Sequence, residues 1–225
     1  MKLRHELKIP INSFDREVLR RRLGACLRRD GNVGADGTYL VRSLYFDTPG
    51  DAALREKIAG VDRREKFRIR IYPEMGRGRI VLEKKVKVHG LSGKAGATLG
   101  GDEYLSILEG DISWMAGDGR ELVRELYAKM RGSMLRPKTI VEYRREPFVY
   151  DAGNVRVTID SDIRTGIFSK ELFLCNPAYV PAAGGLIVLE VKYDAFIPDF
   201  VEGLLRLGDR HASACSKYTI ARRFG

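Results

Sequence analysis

The sequence predicts an α+β protein: a closed antiparallel β-barrel of around eight strands, with helices packed on its outside. Two observations lead to this fold class. Short segments that alternate polar and apolar residues recur along the chain, and only a few helical segments interrupt them. The strict strand–helix alternation of a doubly wound parallel sheet is absent. Because 225 residues suit one such barrel, we expect a single domain over residues 1–225.

Local periodicity and turn residues place the individual elements. Apolar residues with helical spacing predict a helix over Ile11–Leu27, with Asn12 or Ser13 as its N-cap. Further helices are predicted at Ala52–Ile58, 102–109, 118–131 and Phe200–Leu207, and strands at Tyr39–Phe46, Lys66–Tyr72, Arg79–Val88, Pro137–Phe148, Val155–Ile159, Phe168–Leu174 and Leu186–Tyr193. We expect a connecting loop at Pro73–Gly78 and a mobile, glycine-rich surface loop or lid at Gly90–Gly101.

The composition indicates a polyanionic partner. Forty basic and thirty acidic residues give a formal charge of +10 and a pI near 9.6. General solubility would explain this surplus equally well, so the positions of the charges must decide. Three isolated cysteines and three histidines make a disulfide framework or a zinc site unexpected, which fits a reduced cytoplasm. No secretory signal is expected, and the longest apolar run, Leu186–Leu189, is far short of the ~20 residues of a membrane-spanning helix.

The charges lie on one face of the predicted strands, because alternate side chains of a β-strand point the same way. Lys66, Arg68 and Arg70 share one face of their strand, for example, and apolar residues occupy the other. The same alternation groups Arg4 with Glu6 and Lys8, Glu83 with Lys85 and Lys87, Tyr143 with Arg145, Arg156 with Thr158 and Asp160, and Glu190 with Lys192.

A polar face turned to solvent would account for any one of these strands, but six strands that behave alike weaken that explanation. Solvent faces of sheets usually mix in serine, threonine and glutamine, whereas these faces are dominated by lysine and arginine. Like charges on neighbouring strands repel, and an anion between them would relieve the repulsion. The pattern therefore predicts that helices cover the apolar faces and that the basic faces converge on an internal channel.

These residue types suit the binding and transfer of phosphate groups. Arginine binds phosphate oxygens with two parallel hydrogen bonds, and lysine supplies a compact charge. Phosphoryl transfer through a metaphosphate-like transition state needs positioning and spread positive charge more than a covalent nucleophile. A carboxylate within such a ring of cations is a candidate metal ligand. Glu190 is the first candidate, and an ion pair with a neighbouring arginine is the alternative.

A set of short motifs spans the chain from Arg4 to Phe224. It includes Ser43-Leu44-Tyr45-Phe46-Asp47-Thr48, Leu54-Arg55-Glu56-Lys57, Phe67-Arg68-Ile69-Arg70, Leu82-Glu83-Lys84-Lys85, Tyr143-Arg144-Arg145-Glu146, Leu189-Glu190-Val191-Lys192-Tyr193 and Ser216-Lys217-Tyr218. Each string is weak alone, but the ordered set is specific. It resembles the VTC domain, the vacuolar transporter chaperone-type polyphosphate polymerase. The resemblance implies a triphosphate tunnel metalloenzyme (CYTH-like) fold, an eight-stranded antiparallel barrel open at both ends.

The resemblance also implies roles for individual side chains. The phosphate-binding cations that carry catalysis would be Lys8, Arg68, Arg70, Lys85, Arg145 and Lys217. Glu190 would bind Mn²⁺ or Mg²⁺, and Tyr143 and Ser216 would be polar partners of the same phosphate chain. Charged residues on the same strand faces complete the expected substrate-binding set: Glu6, Lys66, Glu83, Lys87, Arg156 and Lys192.

The implied reaction transfers the γ-phosphate of ATP to phosphate, pyrophosphate or a growing polyphosphate chain. Triphosphatases of this fold open with Glu-x-Glu-x-Lys, whereas this sequence has Arg4 in the first position, which disfavours two-metal hydrolysis. An inorganic or nucleoside triphosphatase and a non-catalytic polyphosphate-binding module are the alternatives. No nucleic-acid partner is expected, because the sequence lacks the aromatic platforms of RNA and single-strand binders. A membrane-protein partner is compatible with a cytoplasmic domain.

Overall fold

The structure, a computed structural model, describes residues 1–74 and 79–224. Its strands are β1 (Leu3–Ile11), β2 (Arg28–Arg29), β3 (Tyr39–Asp47), β4 (Arg64–Ile71), β5 (Ile80–Val88), β6 (Leu91–Leu99), β7 (Arg136–Tyr150), β8 (Val155–Thr165), β9 (Val180–Pro181) and β10 (Ile187–Tyr193). Its helices are α1 (Ser13–Cys26), α2 (Ala52–Ile58), α3 (Gly101–Glu109), α4 (Glu121–Gly132), α5 (Asp199–Leu205) and α6 (Lys217–Ala221). Residues 75–78 of the predicted loop Pro73–Gly78 lie outside the described residues.

Eight of these strands close into a barrel. They pair side by side, always antiparallel, in the order β7, β3, β4, β5, β6, β1, β10, β8, and β8 pairs in turn with β7. The short strands β2 and β9 only extend the pairing of β7 and β8. The closing pair, β1 with β6, is short and joins only Leu3 to Gly93 and Arg4 to Ser92. The predicted closed, eight-stranded antiparallel barrel with helices outside is confirmed.

The apolar faces of the strands point outward and are covered by helices. On one side, Ile69 of β4 and Leu82 of β5 pack with Ile107 of α3 and with Val123 and Leu126 of α4. On the other side, the outer faces of β8 and β10 pack against α1 and α5. Each fully buried aliphatic side chain contributes roughly 1.5–3 kcal/mol. Because this burial occurs outside the ring, the inner faces are free to carry charge.

Helix α1 begins where the sequence offers a capping box. The Asn12 side chain accepts a hydrogen bond from the Asp15 amide at 2.8 Å, and the Asp15 carboxylate accepts one from the Asn12 amide at 3.0 Å. These bonds satisfy two backbone groups that would otherwise lack partners at the helix start. Asn12 is therefore the N-cap, and Leu19 and Leu23 are placed to pack on the barrel.

One part of the barrel interior is apolar. Val41, Val141, Ile163 and Val188 cluster there with Tyr218 of α6, and all five are buried. The remaining interior is lined by charged side chains and holds the main cavity. This cavity, which we also call the channel, is thus bounded on one side by the packed apolar cluster. In the part of the chain that the structure describes, no helix has the length and apolar character needed to cross a bilayer.

The predicted mobile loop or lid at Gly90–Gly101 is wrong, because most of it forms strand β6. A two-residue turn at His89 and Gly90, both with positive φ, joins β5 to β6 in a tight hairpin. The small residues that suggested a loop have a packing role. A Cβ on Gly93 would lie 2.9 Å from side-chain atoms of Leu3 and Met1, and Leu3 is the residue that pairs with Gly93 between β1 and β6. Close approach of the first segment therefore explains the glycine.

The predicted strand at Phe168–Leu174 is also wrong. The segment is irregular and lies on the outer wall of the barrel. Leu172 is fully buried in the outer cluster, and its amide donates to the Tyr104 hydroxyl at 3.0 Å, whereas Phe168 is 80% exposed. Phe173 and Leu174 are exposed as well, and no neighbouring strand pairs with the segment, so a run of apolar residues typical of a strand occurs here without a strand.

Candidate functional site

The barrel interior contains a cavity of about 480 Å³ lined by 15 lysine and arginine side chains but only two carboxylates, Glu6 and Glu190. The period of two along each strand turns these charges inward because the apolar residues between them face the helices. Fourteen of the predicted site residues line this single cavity: Glu6, Lys8, Lys66, Arg68, Arg70, Lys85, Lys87, Tyr143, Arg145, Arg156, Glu190, Lys192, Ser216 and Lys217. The structure brings them together, and their individual roles remain predictions.

The arginines of β4 are fixed by hydrogen bonds. Arg68 donates from Nε to the Glu83 carboxylate at 2.7 Å and from Nη1 to the Tyr45 hydroxyl at 2.8 Å. Arg70 donates from Nε to the Ser43 hydroxyl at 3.1 Å, and its Nη1 lies 3.5 Å from Glu83. Burial alone would lower the pKa of both guanidinium groups, but the negative and phenolic groups around them raise it. Both arginines therefore stay charged.

Arg145 of β7 is held by the buried carboxylate of Asp160. Two parallel hydrogen bonds of 2.7 Å join the Arg145 guanidinium to Asp160, and the Lys217 ammonium lies 2.6 Å from the same carboxylate. Both cations also lie over the ring of Tyr143. Burial opposes ionisation of Asp160, but Arg145 and Lys217 hold its pKa below the usual value. We refer to Arg68, Arg70 and Arg145 as the arginine wall.

Lysines from β1, β5 and β10 form a second group, which we call the lysine wall: Lys8, Lys85 and Lys192. The Lys8 ammonium lies 3.4 Å from an oxygen of Glu6 and 3.4 Å from an oxygen of Glu190. Lys85 contacts Glu6 at 2.5 Å, and Lys192 contacts Glu190 at 2.7 Å. The two carboxylates that line the cavity are therefore already paired with three lysines.

The charge state of the lysine wall is less secure than that of the arginine wall. Burial and the neighbouring Lys8 lower the pKa of Lys85 to about 7, although Glu6 opposes the shift. Burial also lowers the pKa of Lys192, and Glu190 only partly offsets it. Lys66 of β4, near Lys8 and Lys57, has a pKa lowered to about 8, chiefly by burial. Lys85 and Lys66 therefore lose their protons near or just above neutral pH, whereas Glu190 and Glu6 raise the pKa of Lys8, the third member of the lysine wall, despite its burial.

Helix α6 delivers two predicted site residues. The Ser216 hydroxyl accepts a bond from the Thr219 amide at 3.4 Å and so caps the helix, which fixes the position of Lys217 at its first turn. Tyr218 follows, and its hydroxyl donates to the buried carboxylate of Asp47. The Asp47 carboxylate also accepts from the backbone amide of Ala53 at the start of α2. Asp47 thereby connects α6 to α2.

Two predicted residues lie toward the limits of the cavity. Arg156 contacts Asp30 at 2.7 Å and donates to the Tyr39 hydroxyl at 3.1 Å. Lys66 lies over the Tyr218 ring, with its ammonium 4.9 Å from the ring centre. Lys57 and Arg64, from the end of α2 and the start of β4, line the cavity together with Lys66.

Glu83 differs from the other predicted site residues because it does not line the cavity. It is 2% exposed, and its carboxylate is shared by Arg68, Arg70 and Lys94. These neighbours hold its pKa well below the usual value despite burial. Its position indicates support of the arginine wall from behind, while the predicted contact with substrate remains a prediction.

Sequence reasoning missed several residues that shape the cavity. Lys57 and Arg64 line it from segments that were not assigned to the site, and Tyr45 contributes a hydroxyl that holds Arg68. Asp160, which holds Arg145, was placed on an inward face but given no role. The sequence could have identified Asp160, because this carboxylate lies two residues beyond Thr158 on a strand face that also carries Arg156.

The two carboxylates of the cavity fit a divalent cation that shares its ligands with a substrate. Glu190 pairs with lysines, and those cations hold its pKa well below the usual value, so it is ionised. Within residues 1–74 and 79–224, no three His, Cys, Asp or Glu side chains are grouped as a metal site. Mg²⁺-like ions are commonly held by one or two carboxylates, with phosphate oxygens and water completing the shell. Glu190, with Glu6 nearby, satisfies that requirement.

A closed antiparallel barrel whose cations converge on an internal cavity defines a protein of the triphosphate tunnel class. The sequence matches the family described as VTC domain over residues 3–224, and the chain belongs to that family. No curated protein matches the sequence.

Two solved structures from Pyrococcus horikoshii OT3 are similar in fold. The PH1819 protein has a TM-score of 0.51 at 11% identity, covering 98% of this chain and 100% of that one. The PH1012 protein has a TM-score of 0.51 at 12% identity, covering 96% of this chain and 98% of that one. At such low identity these similarities concern the fold alone.

Proposed function

We propose that this chain is a polyphosphate polymerase that transfers the γ-phosphate of ATP to a growing polyphosphate chain inside its cationic cavity. The observation that carries the proposal is the imbalance of charge in an enclosed space: 15 basic side chains line the cavity against two carboxylates. A cluster of this kind costs folding free energy through mutual repulsion unless an anion neutralises it. A chain of phosphates supplies repeated negative charges along one line. Membership of the VTC domain family supports the same class of substrate.

The arginine wall supplies what phosphoryl transfer requires. Arg68 and Arg145 are each fixed by a carboxylate, so their positions need little adjustment when substrate binds. A metaphosphate-like transition state spreads negative charge over three oxygens, and fixed guanidinium groups stabilise that charge. Lys217 adds a further charge beside Arg145. The acceptor phosphate is already ionised, so no side chain has to act as a general base, and its oxygen attacks the γ-phosphorus directly while ADP leaves, so no covalent intermediate with the protein is needed.

Glu190 and Glu6 would hold a Mn²⁺ or Mg²⁺ ion together with substrate oxygens. Such an ion would supply positive charge that offsets the negative charge of the bound phosphates. The chain's own residues would do the rest of the positioning. Lys8, Lys85 and Lys192 would exchange their carboxylate partners for phosphate oxygens and so keep the chain aligned along β1, β5 and β10.

Arg4 favours retention of a phosphate chain over hydrolysis. It occupies the position of the first carboxylate in the Glu-x-Glu-x-Lys pattern of triphosphatases, and its Nε lies 2.8 Å from Asp194 at the edge of the cavity. A cation there removes one metal ligand and adds one phosphate partner. We further propose that the reaction takes place in the cytoplasm.

The decisive experiment incubates the chain with ATP and Mn²⁺ and separates the phosphate products on a gel. We expect chains longer than three phosphates together with ADP. Orthophosphate as the sole phosphate product would indicate a triphosphatase instead. Absence of turnover, combined with tight polyphosphate binding, would indicate a binding module.

Glu190→Ala is the matched variant for the metal. We expect it to abolish chain growth while leaving the affinity for tripolyphosphate, measured without divalent metal, within about fivefold of wild type. This difference between chemistry and binding assigns Glu190 to the metal. Equal loss of both would show that Glu190 instead maintains the cavity.

A further inference from the structure

A second cavity, of about 370 Å³, lies outside the barrel where β3 ends and β7 begins. Three of its lining residues are apolar and flat or rigid: Pro49, Pro137 and Phe168. Pro49 follows the end of β3, and Pro137 is the second residue of β7. Together they form an apolar floor on a protein surface that is otherwise rich in charge.

Three cations surround this floor: Arg136, Lys138 and Lys170. Lys138 contacts Asp51 at 3.0 Å. The side chains of Arg136 and Lys170 are exposed and make no hydrogen bond or ion pair with the residues that the structure describes. The rim therefore offers two uncommitted charges and a third that is only partly neutralised. Such a combination attracts anions.

Phe168 is the most unusual member of the set, because it is 80% exposed while the turn that presents it is well fixed. The Gly166 amide donates to the Ile140 carbonyl at 3.0 Å, and the Ser169 amide donates to the Gly166 carbonyl at 2.8 Å. Ile167, between them, has a φ of 49°, which is strained for a β-branched residue. An aromatic ring held in solvent beside free cations is typical of a binding surface.

The outer cavity is separate from the channel but shares a wall with it. Asp47 belongs to the outer cavity, yet its carboxylate is buried and committed to the Ala53 and Leu54 amides and to the Tyr218 hydroxyl. Tyr218 in turn lines the channel. The Asp47 carboxylate therefore lies between the two cavities and is not available to a ligand.

We propose that the outer cavity binds a nucleoside phosphate. A purine or pyrimidine ring would pack on Phe168 and the two prolines, while Arg136 and Lys170 would bind the phosphates. A bare phosphate chain would leave the apolar floor unused, and an uncharged ring would leave the cations unused. The ligand must combine both properties. This site lies beyond the channel and does not depend on the function proposed for it.

Isothermal titration of the full chain with ADP tests this proposal. Four proteins are compared: wild type, the outer-site variant Arg136→Ala/Lys170→Ala, the channel variant Arg68→Ala/Arg145→Ala, and the surface control Arg21→Ala. We expect the outer-site variant to lose one ADP site, or to weaken it at least about tenfold, since both of its charge-assisted bonds to phosphate are removed. The channel variant should retain that site, and the control should match wild type.

Phe168→Ala, with Phe14→Ala as the control for another exposed phenylalanine, tests the ring. Loss of stacking should weaken ADP binding at the outer site at least about fivefold, while pyrophosphate should bind there at least about tenfold more weakly than ADP. Unchanged ADP binding in the outer-site variant would overturn the proposal. Equal affinity for pyrophosphate and ADP would overturn the assignment of a nucleoside ligand. Failure of the channel to turn over ATP affects neither result.

Discussion

The arginine wall and the lysine wall face the same cavity, yet they are built on different principles. Arg68 and Arg145 are locked by Glu83 and Asp160, whose carboxylates lie behind them and away from the cavity. On the lysine wall the carboxylates Glu6 and Glu190 line the cavity themselves, where a ligand can reach them. The arginine wall is therefore preorganised and permanently charged, whereas the lysines of the lysine wall must exchange their carboxylate partners for the oxygens of an anion.

The largest effect is expected from the support of the arginine wall. Asp160→Asn should lower the free energy of unfolding by about 3–5 kcal/mol in the absence of anion, because it removes the carboxylate that pairs directly with the buried cations Arg145 and Lys217. Denaturant titration measures the change. Added tripolyphosphate should restore more stability to this variant than to wild type, and failure of the anion to do so would contradict a cavity built for phosphate.

A second test compares two adjacent arginines on β7. Arg145 faces the cavity, whereas Arg144 faces outward and contacts Glu74 at 2.8 Å. Arg145→Ala should weaken tripolyphosphate binding by about 100-fold or more, since truncating a buried charge partner costs about 2–5 kcal/mol. Arg144→Ala should change it less than about threefold. Similar losses in both variants would mean that the net charge of the protein, and not the arginine wall, determines the affinity for tripolyphosphate.

The pH dependence of binding sharpens the contrast. Free Lys85 loses its proton as the pH rises through about 7, whereas a bound phosphate would keep it charged. Binding above pH 7 must therefore take up a proton, and affinity falls as the pH rises. Between pH 7 and 8.5 we expect wild type to lose about tenfold more tripolyphosphate affinity than Lys85→Arg, whose side chain stays charged. Parallel curves for the two proteins would remove Lys85 from the binding equilibrium.

The smallest expected effect is a gain. Glu6→Gln removes a carboxylate that competes with phosphate for Lys8 and Lys85. Without divalent metal, tripolyphosphate should bind about two- to fivefold more tightly to this variant, an effect of under about 1 kcal/mol. Calorimetry at low and high salt measures it. Weaker binding would show that Glu6 orients the lysines and does not compete for them.

The sequence predicted well which side chains point into the barrel. Side chains of a strand alternate between its two faces, so once the apolar residues are assigned to the outer face, the residues between them must point inward. Lys66, Arg68 and Arg70 could be assigned to one face from spacing alone. Strand β6 was not predicted, because its small residues are typical of a loop and the close approach of Met1 and Leu3 to Gly93 is a contact between distant segments. The partners of Glu83 and Asp160 were hidden for the same reason. Spacing shows which side chains share a face, but not which cross-strand neighbour neutralises them.

The position of β1 determines when the site can form during folding. Lys8 lies on β1, between β6 and β10 in the ring, and Lys217 lies on α6, so the two join only after almost the whole chain has found its place. Contacts of such long range form late. A polyanion present during renaturation would consequently leave the folding rate unchanged and act by slowing the escape from the native state. The unfolding rate of this barrel would therefore depend on the ligand, whereas its folding rate would not.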